Sequence, residues 1–167
     1  MPSKQILRIS IILFIIFANI GCDQVSKKMV RHHVSVDQTI EILRNHLIVM
    51  RVENSGAFLS FGDSLSKSVK NILLSVLPII ALTIGSVYIF TKQNISTLSL
   101  VAICFIIGGG IGNIFDRIAY GSVTDFLYIH FGIFQTGVFN MADLSITTGA
   151  VIILLQFAFR RMLVREG

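Results

Sequence analysis

Charged residues fall in blocks along this chain, and long apolar stretches separate the blocks. Residues 71–91 hold no charged side chain, and neither do residues 93–115. About 20 apolar residues are enough to cross a bilayer as an α-helix, which satisfies its own backbone hydrogen bonds in lipid. With the apolar runs near the two ends, this pattern predicts four membrane spans, at about 5–22, 70–91, 95–115 and 140–160. Pro78 lies inside the second span and predicts a kink there.

The segments between the spans have a different pattern. HLIVMRVEN, at 46–54, is rich in β-branched residues and is followed by turn-forming residues. SVTDFLYIHFG (122–132) and IFQTGVF (133–139) also read as short strands divided by glycines. We therefore expect an all-α membrane protein with four transmembrane helices and a small extracytoplasmic β-sheet. A further hypothesis is that residues 54–61 form a lid that covers the active site proposed below.

Composition and charge agree with a membrane protein. Of the 167 residues, 53% are hydrophobic and 14% are charged, and the mean hydropathy is +0.79. The length allows one domain, residues 1–167. Basic residues in the short segments that flank membrane spans favour the cytoplasmic side. With four spans, six basic residues fall on the same side of the membrane: Lys4, Arg8, Lys92, Arg160, Arg161 and Arg165. Both termini are therefore expected to be cytoplasmic, and the net charge of +5 indicates topology rather than a nucleic-acid partner.

The first span ends in FANIGC, which is similar to the end of a lipoprotein signal peptide that is cut before Cys22. Asn19 fits such a cleavage site poorly, because an aliphatic residue is usual three positions before the cysteine. We expect the first span to be retained and Cys22 to carry no lipid. Cys22 and Cys104 both fall in predicted spans and are too few for a disulfide framework or a zinc site, so they are expected to be structural.

Three carboxylates lie near the ends of the predicted spans, where charged groups are costly and usually have a function. Asp116 ends the third span, Asp125 follows in the loop, and Asp143 begins the fourth span. Two carboxylates close together do not both ionise readily, so they provide a base and an acid at one pH. That is the chemistry of an aspartic peptidase, which requires no metal or cofactor. Taken singly, Asp143 could instead stabilise a helix N-terminus, and Asp116 could form a structural ion pair with Arg117 or another neighbour.

The residues that flank Asp116 and Asp125 in the sequence favour Asp125 as the partner of Asp143. Arg117 adjoins Asp116 and favours its charged form. Asp125 lies in an apolar stretch with no cation nearby in sequence. Burial there, and a second carboxylate close by, would raise the pKa of Asp125, as a pair that shares one proton requires.

Other functional classes fit less well. A small transporter needs acids in the middle of its spans, whereas these carboxylates lie at span ends. A rhomboid-like serine protease needs a G-x-S-G motif, which is absent, and a presenilin-like enzyme needs G-x-G-D, where this chain has GIGN ending at Asn113. A zinc protease needs H-E-x-x-H, which is also absent from the sequence. A purely structural membrane protein is the remaining alternative.

Five short motifs resemble those of the bacterial lipoprotein signal peptidase (signal peptidase II) family, in the same order and with similar spacing. They are DQVSK (23–27), NSGAF (54–58), GNIFDR (112–117), GSVTDF (121–126) and FNMAD (139–143). The resemblance implies a four-helix aspartic peptidase of the bacterial inner membrane, with its active site near the outer face. Its partners would be lipid-modified prolipoprotein signal peptides, cut before the diacylglyceryl-modified cysteine, and membrane lipids. The protein is expected to be a monomer that binds no nucleic acid.

Carried onto this chain, the resemblance implies that Asp125 and Asp143 are the catalytic pair. It implies that six further residues bind substrate or orient the pair: Asn54, Gly56, Asn113, Asp116, Arg117 and Asn140. Asp23 and Lys27, at i and i+4, would form an ion pair that steadies the end of the first helix. Val138 departs from the proline that is frequent before FN, which affects the expected loop geometry and not the chemistry. The resemblance implies neither a metal nor a cofactor.

Overall fold

Helices account for most of the protein in this computed structural model, which describes residues 2–43, 46–56 and 66–165. The apolar stretches of the sequence form the longest of these helices. The helical elements are α1 (Pro2–His33), α2 (Lys67–Asn71), a π segment (Ile72–Val76), α3 (Leu77–Thr91), α4 (Thr97–Tyr120) and α5 (Met141–Arg165).

Four helical stretches are long and apolar enough to cross a membrane, and each overlaps one predicted span. They are Ser3–His33, Ser68–Thr91, Thr97–Tyr120 and Met141–Phe159. The chain is therefore a multi-pass membrane protein. Helix α1 continues past Cys22 to His33, and its 32 residues extend about 48 Å, beyond the ~30 Å hydrocarbon core of a bilayer. Its last turns consequently project out of the lipid and can carry polar groups.

The second span is not a uniform α-helix. The π segment Ile72–Val76 joins α2 to α3, and Pro78 follows at the start of α3. Proline has no N–H to donate, and its ring clashes with the carbonyl four residues earlier, so the turn before it cannot be regular α-helix. The structure thus accommodates Pro78 by a π segment inside a continuous helical span, rather than by a break.

A small antiparallel sheet lies beside one end of the helices. Its order is β1–β2–β3–β4, and its strands are β1 (Thr39–Glu41), β2 (Leu47–Asn54), β3 (Val123–Phe131) and β4 (Phe134–Gln135). Strands β2 and β3 confirm two sequence predictions, and β4 covers only two residues of the third. Strand β1 was not predicted, because its three residues are too few to show an alternating pattern. The predicted lid, residues 54–61, lies mostly outside the described residues.

Helix α4 is the central helix, since it packs against α1, α3 and α5. Gly109 permits the close packing of α4 on α5, because a Cβ atom at this position would overlap the carbonyl oxygen of Ala142. Cys104 is buried in the core and Cys22 is exposed on α1; both are free thiols. The main core cluster contains Ile12, Ile16, Ile89, Leu100, Cys104 and Ile107. The first span therefore contributes core residues to the bundle.

Candidate active site

Strands β2 and β3 bring two of the predicted site residues together. Val52 pairs with Asp125, and Asn54 pairs with Val123. Since side chains alternate between the two faces of a strand, Asn54 and Asp125 lie on one face as diagonal neighbours. The C-terminal half of α4 and the first turn of α5 supply the remaining polar residues of the site.

Asp125 is buried, with 4% of its surface exposed, and both of its carboxylate oxygens accept hydrogen bonds. Nδ2 of Asn54 donates to Oδ2 at 2.9 Å, and Nδ2 of Asn140 donates to Oδ1 at 2.6 Å. Burial raises the pKa of Asp125 to about 6; the hydrogen bond from Asn54 opposes this rise, and the charge of Asp143 adds to it. Asp125 therefore holds its proton at a higher pH than an ordinary aspartate does.

Asp143 lies in the first turn of α5, and Asn140 caps that helix. The backbone N–H of Asp143 donates to Oδ1 of Asn140 at 2.9 Å, and the backbone N–H of Asn140 donates to Oδ2 of Asp143 at 3.2 Å. This reciprocal pair is a capping box, which satisfies two N–H groups that a helix start leaves without partners. Oδ2 of Asp143 thus accepts a hydrogen bond at the N-terminus of α5, while its Oδ1 accepts one from Asn113.

Two asparagine amides connect Asp125 to Asp143. Nδ2 of Asn140, besides its bond to Asp125, donates to Oδ1 of Asn113 at 3.2 Å. Nδ2 of Asn113 in turn donates to Oδ1 of Asp143 at 2.8 Å. Both asparagines are buried. The structure therefore joins the two carboxylates and the two amides in one hydrogen-bonded group.

Arg117 and Asn54 hold the turn that follows β2. The backbone N–H of Gly56 donates to Oδ1 of Asn54 at 2.9 Å, so this amide binds the turn on one side and Asp125 on the other. Nη2 of Arg117 donates to the carbonyl oxygen of Gly56 at 3.1 Å, and Nη1 lies 3.5 Å from the carbonyl oxygen of Asn113. Nε of Arg117 is buried and has no hydrogen-bond partner among the described residues.

A group of buried charges adjoins Asn113. Nζ of Lys27 lies 2.8 Å from Oδ2 of Asp23 and 3.1 Å from Oδ2 of Asp116, and Nη2 of Arg31 lies 2.9 Å from Oδ2 of Asp116. The predicted ion pair between Asp23 and Lys27 is thus present. Asp116 pairs with these cations of α1 and not with Arg117, because adjacent residues of a helix point in different directions. The structure places Asp116 in this charge network rather than among the bonds that join Asp125 and Asp143.

Three members of this charge network were not identified from the sequence. Nε2 of Gln24 donates to Oδ1 of Asp116 at 3.2 Å, and Nε of Arg31 donates to Oγ1 of Thr124 at 2.7 Å. The spacing of Lys27 and Arg31, i and i+4 on α1, is a signal that could have identified Arg31. Gln24 and Thr124 carry no such signal, because their contacts to Asp116 and Arg31 join parts of the chain that are distant in sequence.

Two cavities share Ile118 in their linings, and one of them reaches the site at Arg117. A polar cavity of about 530 Å³ lies beside Arg117, with Lys70 and Ser75 among its lining residues. An apolar groove of about 660 Å³ lies between α3 and α4, with Leu82 and Phe115 among its lining residues. A polar space beside Arg117 and an apolar space between two spans suit a ligand that is part peptide and part lipid.

A membrane helix bundle with two carboxylates joined by hydrogen bonds, one of them with a raised pKa, has the features of a membrane aspartic peptidase. Paired carboxylates whose environments differ provide one proton acceptor and one proton donor. Within the described part of the chain, no group of three or more His, Cys, Asp or Glu side chains is placed to hold a metal ion.

Comparison with known proteins identifies the family. Residues 15–159 match the family model for signal peptidase (SPase) II. The lipoprotein signal peptidase of Clostridium novyi is 32% identical over 158 residues, covering 93% of this chain and 98% of the relative. The Aquifex aeolicus enzyme of the same name is 30% identical and covers 93% and 87%. A solved bacterial membrane enzyme structure superposes with a TM-score of 0.80 at 25% identity, over 90% of this chain and 88% of that chain. The chain belongs to the signal peptidase II family.

Proposed function

We propose that this protein removes signal peptides from prolipoproteins by hydrolysing the peptide bond before the diacylglyceryl-modified cysteine. The family and the relatives named lipoprotein signal peptidase support this choice of substrate. The observation that carries the proposed chemistry is the linkage of Asp125 and Asp143 through the amides of Asn140 and Asn113. We assign catalysis to these two aspartates.

Hydrolysis requires one carboxylate to accept a proton and one carboxylic acid to donate one. Asp143 lies at the start of α5 and accepts one N–H from the side chain of Asn113 and one from the backbone of Asn140. It acts as the base that takes a proton from the attacking water. Asp125, with its raised pKa, is the acid that protonates the carbonyl oxygen as the tetrahedral diol forms. The proton held by Asp143 then passes to the amide nitrogen of the cysteine, the C–N bond breaks, and the diol returns a proton to Asp125.

The substrate-binding roles follow from the groups that surround the two aspartates. Arg117 offers its Nε–H to a substrate carbonyl oxygen. Asn54 and Gly56 form the turn that borders Asp125, and Asn113 and Asn140 orient the carboxylates. The acyl chains of the modified cysteine occupy the apolar groove between α3 and α4. All of these groups come from one chain, which supports a monomeric enzyme.

The same proposal includes the orientation in the bacterial inner membrane. Nη2 of Arg8 donates to the carbonyl oxygens of Ile89 and Lys92, so two basic residues meet at the end of the bundle that lies opposite the site. Basic residues favour the cytoplasmic side. Both termini are then cytoplasmic, and the sheet and the aspartates lie near the outer face.

A pH profile tests the assignment of Asp125 as the acid. Its raised pKa means that Asp125 is protonated below about pH 6 and ionised above it. Ionisation removes the proton donor, so kcat/KM is expected to fall about tenfold per pH unit above pH 6. The measurement is kcat/KM for a lipid-modified peptide from pH 5 to 8.5 in one bilayer composition. A kcat/KM that rises steadily across pH 6 to 8 would contradict the assignment.

Turnover in the presence of a chelator tests the proposed function as a whole. The purified protein, reconstituted with a lipid-modified prolipoprotein peptide, is expected to cleave it with no added cofactor and at an unchanged rate in EDTA. An unrelated helical membrane peptide of equal length serves as the control substrate and is expected to stay intact. Loss of turnover in EDTA, restored by a divalent metal, would reject the proposed mechanism.

A further inference from the structure

Lys27 is completely buried, and the three hydrogen atoms of its ammonium group have three acceptors. Nζ donates to Oδ2 of Asp23 at 2.8 Å and to Oδ1 of Asn113 at 2.9 Å, and it lies 3.1 Å from Oδ2 of Asp116. An ammonium group has donors only, so only acceptor atoms can face it. The oxygen of the Asn113 amide must therefore be the atom that faces Lys27.

This contact, together with the hydrogen bond from Nδ2 of Asn140 to the same oxygen at 3.2 Å, determines which way the Asn113 amide is turned. With its oxygen on Lys27, the amide presents Nδ2 to Oδ1 of Asp143 at 2.8 Å. The reversed amide would place an NH₂ group against an ammonium and an oxygen against a carboxylate. Both contacts would be repulsive in a buried site, where an unpaired polar group is costly.

We propose that Lys27 is a positioning residue for catalysis: it fixes the amide of Asn113 in the orientation that holds the Asp143 carboxylate toward the substrate. This inference rests on the proposed roles of Asp125 and Asp143. It assigns Lys27 a role in the reaction, in addition to the ion pair that steadies α1.

The buried charges around Lys27 suit this role. Asp23 and Asp116 hold the ammonium from two helices, and Arg31 balances the second carboxylate. Oδ1 of Asp23 also accepts from the backbone N–H of Ala142 at 2.9 Å, the residue before Asp143. The network therefore reaches the first turn of α5 twice, once through the main chain and once through the side chain of Asn113. A Cβ atom at Gly112 would lie 2.5 Å from Oδ2 of Asp23, so a glycine at this position of α4 leaves the space that the Asp23 carboxylate occupies.

The test compares two double variants that carry the same charge. Lys27→Met alone would leave buried carboxylates unbalanced, so it is combined with Asp23→Asn, which keeps an oxygen for the N–H of Ala142. The matched partner is Asp23→Asn with Lys27→Gln, because the glutamine amide has an N–H that can reach Oδ1 of Asn113 and methionine has none. The two side chains are similar in length and volume.

The methionine double variant is expected to lose about 10²-fold in kcat, the lower range for general acid–base effects, with KM changed less than about threefold. The glutamine double variant should recover at least about tenfold in kcat at an equal melting temperature. Lys28→Met, an exposed position on the same helix, should match the wild-type protein. The readouts are kcat and KM for a lipid-modified peptide, and melting temperature.

Equal kcat in the methionine and glutamine double variants would overturn the positioning role. If either variant fails to fold, the two double variants are made with Asp116→Asn in place of Asp23→Asn. Equal kcat in that second pair would likewise overturn the positioning role. Asp143→Asn is measured in parallel. Turnover retained by Asp143→Asn would reject the proposed catalytic pair, whereas equal double variants beside an inactive Asp143→Asn would reject only the role of Lys27.

Discussion

Replacing Asp125 or Asp143 by asparagine is expected to abolish cleavage in a protein that still folds. Each loss should be at least ~10³-fold, as for removal of a general acid or base. The reason is that the reaction needs one protonated and one ionised carboxyl group, and an amide can neither accept nor release the proton. The measurement is turnover of a lipid-modified peptide by each purified variant, together with its melting temperature.

Asp116→Asn is the matched control, since it removes a third carboxylate from the same end of the bundle. Asp116 is fully buried and pairs with Lys27 and Arg31, so its loss leaves two cations with less compensation. Breaking such a buried pair costs about 3–5 kcal/mol. A lower melting temperature is expected, with a loss of turnover per folded molecule much smaller than the ~10³-fold loss of Asp125→Asn. A folded, active Asp125→Asn beside a folded, inactive Asp116→Asn would show that the partner of Asp143 is Asp116.

A precursor with an unmodified cysteine is expected to be cleaved at least ~10²-fold more slowly than the lipid-modified precursor, measured as kcat/KM. Acyl chains buried in the apolar groove of about 660 Å³ between α3 and α4 contribute binding energy and hold the peptide bond at the level of the aspartates. The two peptides are compared in the same bilayer at matched surface concentration.

A peptide whose cysteine carries a short alkyl group is the control for that comparison. It blocks the thiol without filling the groove, so it should behave like the unmodified peptide. Similar rates for all three peptides would show that recognition does not depend on the lipid, and the proposed occupant of the groove would then be wrong.

Much of this fold is predictable from the sequence because lipid imposes strong constraints on it. A span must be apolar over about 20 residues, so the charge-free stretches locate the helices closely. Strands β2 and β3 are also visible, since they are long and rich in β-branched residues. The π segment before Pro78 and the short strand β1 are not, because they depend on local backbone geometry and on pairing rather than on composition.

The candidate site was predictable as a set of residues and not as a set of contacts. Its members were identified by type and motif, but the partners of Asp116 lie on α1, far away in sequence. The i, i+1 neighbour, Arg117, was the obvious sequence partner and proved to bind backbone carbonyls instead. Likewise, only the packed structure shows that Asn140 both caps α5 and binds Asp125.

The most direct test of the central claim is the mass of the products released from one lipid-modified prolipoprotein peptide. The wild-type protein and Asp143→Asn are reconstituted in the same bilayer and incubated with this peptide. We predict that the wild-type protein releases two fragments whose masses place the cut immediately before the modified cysteine, and that Asp143→Asn leaves the peptide intact. A cut at any other bond, or equal cleavage by Asp143→Asn, would contradict the claim.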